Sequence, residues 1–206
     1  MAGIKTNAES LILHMKEFIF ASANKHKAEE IELALPKDYR ILIMKEAGIT
    51  IDIPEPFNTL EENSKHKAQT VFELLGKDCF AEDTGLEVDA LNNEPGVNSA
   101  RYAGEEKSFE KNIEKLLHNL EGRKNRTAKF RTVFTLILNG CLYQFQGICE
   151  GIITEKPSGT SGFGYDPVFL PLKSDKTFAE MTMTEKNKYS HRKKALDQMI
   201  QFLKTQ

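Results

Sequence analysis

The chain alternates short apolar runs with longer amphipathic ones, and the spacing changes from strand-like to helical and back. Phe18-Ile19-Phe20-Ala21 is a β-type run. Ser22-Ala23-Asn24 punctuates it, and Lys27 to Leu35 then carries apolar residues at helical spacing. Tyr39 to Met44 reads as a second strand, and Ile49 to Pro56 as an extended loop stiffened by Pro54 and Pro56. A long helix is predicted from about Asn58 to Leu75, with Asn58 or Thr59 as its cap and Glu61 and Glu62 in its first turn. Cys79-Phe80-Ala81 opens a further strand. Phe109 to Leu120 repeats Ile113, Leu116, Leu117 and Leu120 on one face, with Glu110, Lys111, Glu114 and Lys115 turned outward. Phe130 to Leu138 and Cys141 to Cys149 are β-rich and joined by Asn139-Gly140, a strong hairpin signal. A closing helix runs through Ala195, Leu196, Met199, Ile200 and Leu203, capped by Ser190. A hairpin added to a strand-helix succession predicts an α/β fold on a mixed sheet flanked by helices.

Composition narrows the functional classes. At 206 residues the chain suits one domain, or two lobes sharing a cleft. Residues 1–14 read as an extension or an upstream start, and 15–206 as one functional unit. A net charge of −2 gives no general attraction to nucleic acid or anionic membrane, so any phosphate binding must come from local lysines and arginines. The basic turn Arg123-Lys124-Asn125-Arg126 lacks interleaved aromatics and reads as a solvated loop. No apolar run approaches membrane-spanning length, and a signal peptide is not expected, which points to the cytoplasm. Cys79, Cys141 and Cys149 are odd in number and lie in strand-like runs without metal-ligand spacing. They are expected as buried thiols in a reducing compartment, with no disulfide framework and no zinc.

The candidate chemistry gathers at strand ends. After Ala81 come two acids and a hydroxyl, Glu82, Asp83 and Thr84. Adjacent strand residues point to opposite faces, so the two acids should play different parts. The loop Ser99-Ala100-Arg101-Tyr102 then supplies a fixed cation, and acids beside a cation suit a polyanionic substrate handled with a hard metal ion. Ser22 to Lys27 is a polar turn entering a helix, either a plain cap or an anion site. Glu55 between two prolines is either a metal ligand or a solvated acid. Asn63 and Lys67 share one helix face and could reach one ligand. The stretch from Pro157 to Pro167 offers either a glycine-rich surface loop or a purine slot, with Phe163 or Tyr165 to stack a ring and Asp166 or nearby amides to bind its edge. His191 and Arg192 place two cations at the unfavourable end of the last helix, which points to a ligand-facing use.

In order, the stretches Ser22-Ala-Asn-Lys-His-Lys27, Glu62-Asn-Ser-Lys-His-Lys-Ala68, Ala81-Glu-Asp-Thr-Gly-Leu86, Pro95 to Gly104, Ser161-Gly-Phe-Gly-Tyr-Asp-Pro167, Ala179-Glu-Met181, Glu185-Lys-Asn187 and Ser190-His-Arg192 resemble the inosine triphosphate pyrophosphatase family over residues 18–204. The resemblance implies a homodimeric, Mg²⁺-dependent enzyme that splits ITP, dITP or XTP into monophosphate and pyrophosphate. It implies an elongated mixed sheet in two lobes with the nucleotide in the cleft between them. By motif, Ser22, Ala23, Asn24, Lys25, His26, Lys27 and Lys67 would hold the phosphates. Asp83 would be the catalytic carboxylate, with the metal on Glu55 and Asp83 or Glu82. Thr84 would touch the substrate, while Phe163, Gly164, Tyr165, Asp166, Lys186, His191 and Arg192 would frame the base. Ala23 replaces a usual glycine, Glu82 a frequent Asp, and Thr84 a common serine. The alternatives are a house-cleaning pyrophosphatase for pyrimidine or modified nucleotides, and a nucleotide-binding regulator without turnover.

Overall fold

The computed structural model describes residues 16–206; the expectation for residues 1–14 lies outside them. In chain order the elements are β1 (Lys16–Phe20), α1 (Lys25–Ala34), β2 (Tyr39–Ile43), α2 (Leu60–Leu75), β3 (Cys79–Val88), β4 (Pro95–Gly96), α3 (Phe109–Asn119), β5 (Thr127–Leu138), β6 (Cys141–Ile153), β7 (Phe169–Pro171), α4 (Met183–Lys186) and α5 (His191–Leu203). The strands form one sheet in the order β2-β1-β3-β5-β6-β7, with β4 alongside β3. β1 is parallel to β2 and β3, and the remaining pairs are antiparallel. The mixed α/β prediction therefore holds. Asn139 and Gly140 both take positive φ, 51° and 77°, the backbone that a two-residue hairpin turn demands between β5 and β6.

Apolar alternation along the central strands builds two layers. On one face, Phe20 of β1, Phe80 of β3, and Phe134 and Leu136 of β5 pack against Ile31 of α1 and Leu196, Met199 and Ile200 of α5. On the other, Ile19, Cys79, Ala81 and Ile137 pack against Ala68 and Val71 of α2. A third cluster at the far end of β3, β5 and β6 joins Leu86, Phe130 and Phe169 to Ile113 and Leu116 of α3. Gly147 of β6 lets α5 dock tightly, because a side chain there would collide with the backbone of His191 and Ala195. That contact fixes where the first turn of α5 sits.

The cleft arises from an interruption in the sheet. β1 pairs with β3 only at Cys79 and Phe80 before turning into α1, and β4 pairs with it only at Leu86 and Glu87. Between those contacts β3 has β5 on one side and, among the described residues, no strand on the other. Its edge from Ala81 to Gly85 therefore forms a floor between the α1/α5 layer and the α3 end. Gly85 is required there, since a Cβ at this position would lie 2.6 Å from the carbonyl oxygen of Gly96.

Three expectations need correction. Cys141 is exposed at the start of β6, whereas Cys79 and Cys149 are buried, and burial pushes those two thiols up to about 12 and about 11. Arg126 is no solvated residue: it donates to the carbonyls of Leu120, Ile153 and Thr154 and ties the end of α3 to β6. Asn63 does not share a ligand with Lys67, because its amide is used in both directions by the backbone of Phe57, fixing the Glu55 loop onto α2. Among the described residues no helix is long and apolar enough to cross a membrane.

Candidate active site

The cleft encloses about 510 Å³, within the roughly 300–1,000 Å³ of small-molecule sites. Its wall carries Ser22, Ala23, Asn24 and Lys27 from the β1–α1 turn, Glu55, Lys67 from α2, Asp83 and Thr84 from β3, Arg101, and Phe163, Gly164, Tyr165, Asp166, Lys186, His191 and Arg192. Most residues predicted from sequence are thus brought together. Lys25, His26 and Glu82 do not line it. The side chains of Lys25 and His26 are exposed beside its mouth, and Glu82 lies beneath its floor.

At the α1 end, the Ser22 hydroxyl accepts from the Asn24 amide at 3.1 Å, and the Asn24 side chain accepts from the Lys27 amide at 3.2 Å. Among the described residues, the amides of Lys25 and His26 have no internal acceptor. Free N–H groups at the positive end of a ten-residue helix can take an anion, and Asn24 caps that end.

Glu82 and Asp83 diverge as strand alternation requires. Asp83 turns toward α2, where its Oδ1 accepts from the Lys67 ammonium at 2.9 Å. The same ammonium donates to Glu55 Oε1. Arg101 holds the Glu55 loop from the other side, donating to the Glu55 carbonyl at 3.2 Å. Burial would raise Glu55, yet the Lys67 charge outweighs it and holds the acid down at about 2. Burial raises Asp83 above the usual aspartate range, and the Glu55 charge beside it works in the same direction against the pull of Lys67. The second oxygen, Oδ2, is buried and has no hydrogen-bond partner among the described residues. A buried carboxylate oxygen left without a donor is costly unless something binds it.

Glu82 turns the other way and is saturated. Its oxygens accept from Arg192 Nε at 3.0 and 3.1 Å, Thr132 Oγ1 at 3.1 Å and Thr84 Oγ1 at 3.3 Å, with Lys27 Nζ at 3.2 Å. Burial opposes its charge, but Arg192 and Lys27 hold it far below the ordinary glutamate range. The network continues from Arg192 to Glu30, from Glu30 to Lys186 at 2.7 Å, and from Lys186 to Asp166 at 2.6 Å. Lys27, Glu82, Arg192, Glu30, Lys186 and Asp166 thus alternate in sign and sum to zero charge.

The metal expectation can be set against these positions. Among the described residues no three His, Cys, Asp or Glu side chains converge on one point, because Glu82 is committed on the opposite face of β3. Asp83 and Glu55 do converge, on Lys67. Two hard carboxylates, one with an unused buried oxygen, fit a Mg²⁺-like ion that completes its shell with substrate phosphate and water.

At the far end the glycine-rich loop corrects two readings. Tyr165 is buried and its hydroxyl donates to the Ser99 carbonyl at 2.9 Å, so it braces the loop and cannot stack a base. The Asp166 side chain accepts from the Phe163 amide at 2.9 Å and from Lys186, which leaves it committed within the loop. Phe163 is half-buried and lines the cleft. His191 is not the expected cation. Burial, with Arg192 and Lys186 nearby, lowers it well below the ordinary histidine value, and the neutral ring stacks on Phe130 at 4.7 Å with both nitrogens unpartnered among the described residues. Sequence reasoning missed Glu30 and Thr132, the supports beneath Arg192 and Glu82. The available signal for Glu30 was a missing counter-charge, since Ser190-His-Arg192 carries a cation with no acid beside it.

Known proteins resemble this chain in sequence and in fold. A model of the Ham1 family matches residues 18–202. A dITP/XTP pyrophosphatase of Flavobacterium johnsoniae is 52% identical over 187 residues, 91% of this chain and 97% of that protein. A dITP/XTP pyrophosphatase of Bacillus subtilis is 44% identical over 193 residues, 92% of this chain and 98% of that protein. Among solved structures, the Ham1 protein of Staphylococcus aureus is 40% identical with a TM-score of 0.83, covering 92% of this chain and 99% of its own. A HAM1 protein from Coxiella burnetii is 35% identical with a TM-score of 0.85, covering 93% of this chain and all of its own.

Proposed function

The chain belongs to the Ham1 family, and from that premise we propose that it hydrolyses non-standard purine nucleoside triphosphates, namely ITP, dITP and XTP, to the nucleoside monophosphate and pyrophosphate. The observation that carries this reading is that one cleft gathers the unpartnered Asp83 oxygen, a helix terminus with free amides and an aromatic, glycine-rich loop. The helix terminus suits phosphates, the loop suits a base, and the acid shares their cleft.

In this account the α1 amides, Lys27 and Lys67 take the phosphate charge, and Thr84 contacts the chain of phosphates beside them. Asp83 orients a water and accepts its proton as the water oxygen bonds to the α-phosphorus; the bond from that phosphorus to the bridging oxygen breaks, and pyrophosphate leaves. Asp83 and Glu55 would hold Mg²⁺, which when bound supplies positive charge to the phosphate oxygens. Phe163 carries the base, and the neutral His191 and nearby loop amides face its edge. A donor there accepts the 6-keto group of hypoxanthine and xanthine. The 6-amino group of adenine would leave that donor unpaired, at a cost of about 1–3 kcal/mol. The same reading places the enzyme in the cytoplasm as a homodimer, without nucleic-acid or membrane partners.

The test is release of pyrophosphate from dITP, ITP, XTP, dATP, dTTP and UTP, with and without EDTA. Selective turnover of the first three, abolished by EDTA and restored by Mg²⁺, is expected. Equal turnover of all six, preference for the pyrimidines, or activity indifferent to EDTA would overturn the reading.

A further inference from the structure

Phe109 is a large apolar residue that the core does not use. It opens α3 at the N-terminal end of the inward stripe that continues through Asn112, Ile113 and Leu116. Ile113 and Leu116 enter the cluster beneath β5, whereas Phe109 remains 39% exposed and lines the cleft. Its ring lies 6.2 Å from Phe163 and 6.4 Å from His26, tilted to both. His26 in turn stacks on Phe163 at 5.2 Å and 15°. Three rings from the first turn of α1, the glycine-rich loop and the first turn of α3 therefore meet at one corner of the cleft.

Ring centroids about 4.5–7 Å apart are in direct contact, so a flat ligand cannot enter among them unless one ring moves. His26 is the one with least holding it. Its side chain is 53% exposed, and its polar contact is a 3.8 Å approach to the exposed Glu29. Phe163, by contrast, is fixed through its amide to Asp166 and lies 5.4 Å from Lys186 and 5.7 Å from the Arg192 guanidinium.

We propose that Phe109 is a base-contacting residue: the purine takes the place of His26 on Phe163 and packs against Phe109, which the α3 end of the molecule supplies. The proposal rests on the purine nucleotide reading above. Because base–aromatic stacking is tolerant of base identity, Phe109 adds affinity for the ring without choosing among its edges.

The test is calorimetric binding of IMP and of inorganic tripolyphosphate to the parent enzyme, Phe109→Ala and Phe109→Leu. Phe109→Ala is expected to weaken IMP about tenfold, to leave tripolyphosphate unchanged, and to be poorly rescued by Phe109→Leu, which restores apolar cover but not an aromatic face. Unchanged IMP affinity, equal losses for both ligands, full rescue by leucine, or no binding of IMP by the parent enzyme would overturn the proposal. Since binding is read without turnover, failure to hydrolyse dITP would sink the preceding reading and leave this test intact.

Discussion

Glu82 and Asp83 are neighbours on one strand, carry the same charge and are both buried, yet their surroundings are opposite. Glu82 is surrounded by Arg192, Lys27, Thr84 and Thr132 and belongs to a neutral chain of six alternating charges. Asp83 shares one ammonium with Glu55 and keeps an oxygen that nothing satisfies. Side-chain alternation sends the two acids to opposite faces; what each face contains decides which acid is architecture and which is chemistry. A saturated carboxylate has no spare lone pair for water or metal, whereas an under-satisfied one is stabilised by acquiring a ligand.

The largest expected effect comes from breaking the contrast at Asp83. Asp83→Asn should reduce dITP turnover by about 10²–10⁴-fold, the range of a lost general base. The raised carboxyl is costly to the fold above its own pKa, so the melting temperature should hold or rise. A variant that keeps most of its rate would remove the proposed role.

Glu82→Gln sharpens the comparison from the other side. It strands Arg192 and Lys27 without their shared acid, and breaking one partner of a buried pair costs about 3–5 kcal/mol. At this chain length the melting temperature should fall on the order of 10 °C. A thermal profile equal to the parent's would mean that the network does not hold the fold.

His191 gives a pH dependence of defined sign. Its folded pKa is depressed, so the unfolded chain binds the proton first as pH falls through the unfolded value near 6.5. Stability should therefore decline below about pH 6.5 with a slope approaching 1.4 kcal/mol per pH unit, continuing until the folded ring itself protonates. His191→Phe should flatten that segment of the stability–pH curve. The acids held low, Glu82, Glu30 and Glu55, contribute stability above the ordinary carboxylate range that is lost only at more acidic pH. Denaturant midpoints between pH 8 and 5 read the histidine window alone.

The smallest effect belongs to Tyr165. Tyr165→Phe removes its hydrogen bond to the Ser99 carbonyl and should cost about 0.5–1.5 kcal/mol of stability while leaving IMP affinity unchanged. A large loss of IMP binding would return Tyr165 to the base.

The framework was legible because its signals are local. The Asn139-Gly140 turn, the Thr59 and Ser190 caps and the apolar stripe of α3 each depend on residues a few positions apart, and the structure holds each of them. The divergence of Glu82 and Asp83 was legible from strand periodicity alone. Which of the two would be saturated was not, because Glu82 meets Arg192 and Thr132, 110 and 50 positions away. The charge state of His191 and the bracing role of Tyr165 were hidden for the same reason. Each looked like a ligand-facing residue by type, and burial beneath the loop set its behaviour. In the sequence Phe109 stands only as the first residue of a predicted helix, and the end of the core short of the first turn of α3 is what shows that it lines the cleft.

The central claim, that the cleft delivers water to the α-phosphorus of a purine nucleoside triphosphate, is tested most directly by hydrolysing dITP in ¹⁸O-labelled water and locating the label by ³¹P NMR. The account predicts one ¹⁸O in the nucleoside monophosphate and none in the pyrophosphate. Label in the pyrophosphate, or release of orthophosphate and a nucleoside diphosphate, would contradict it.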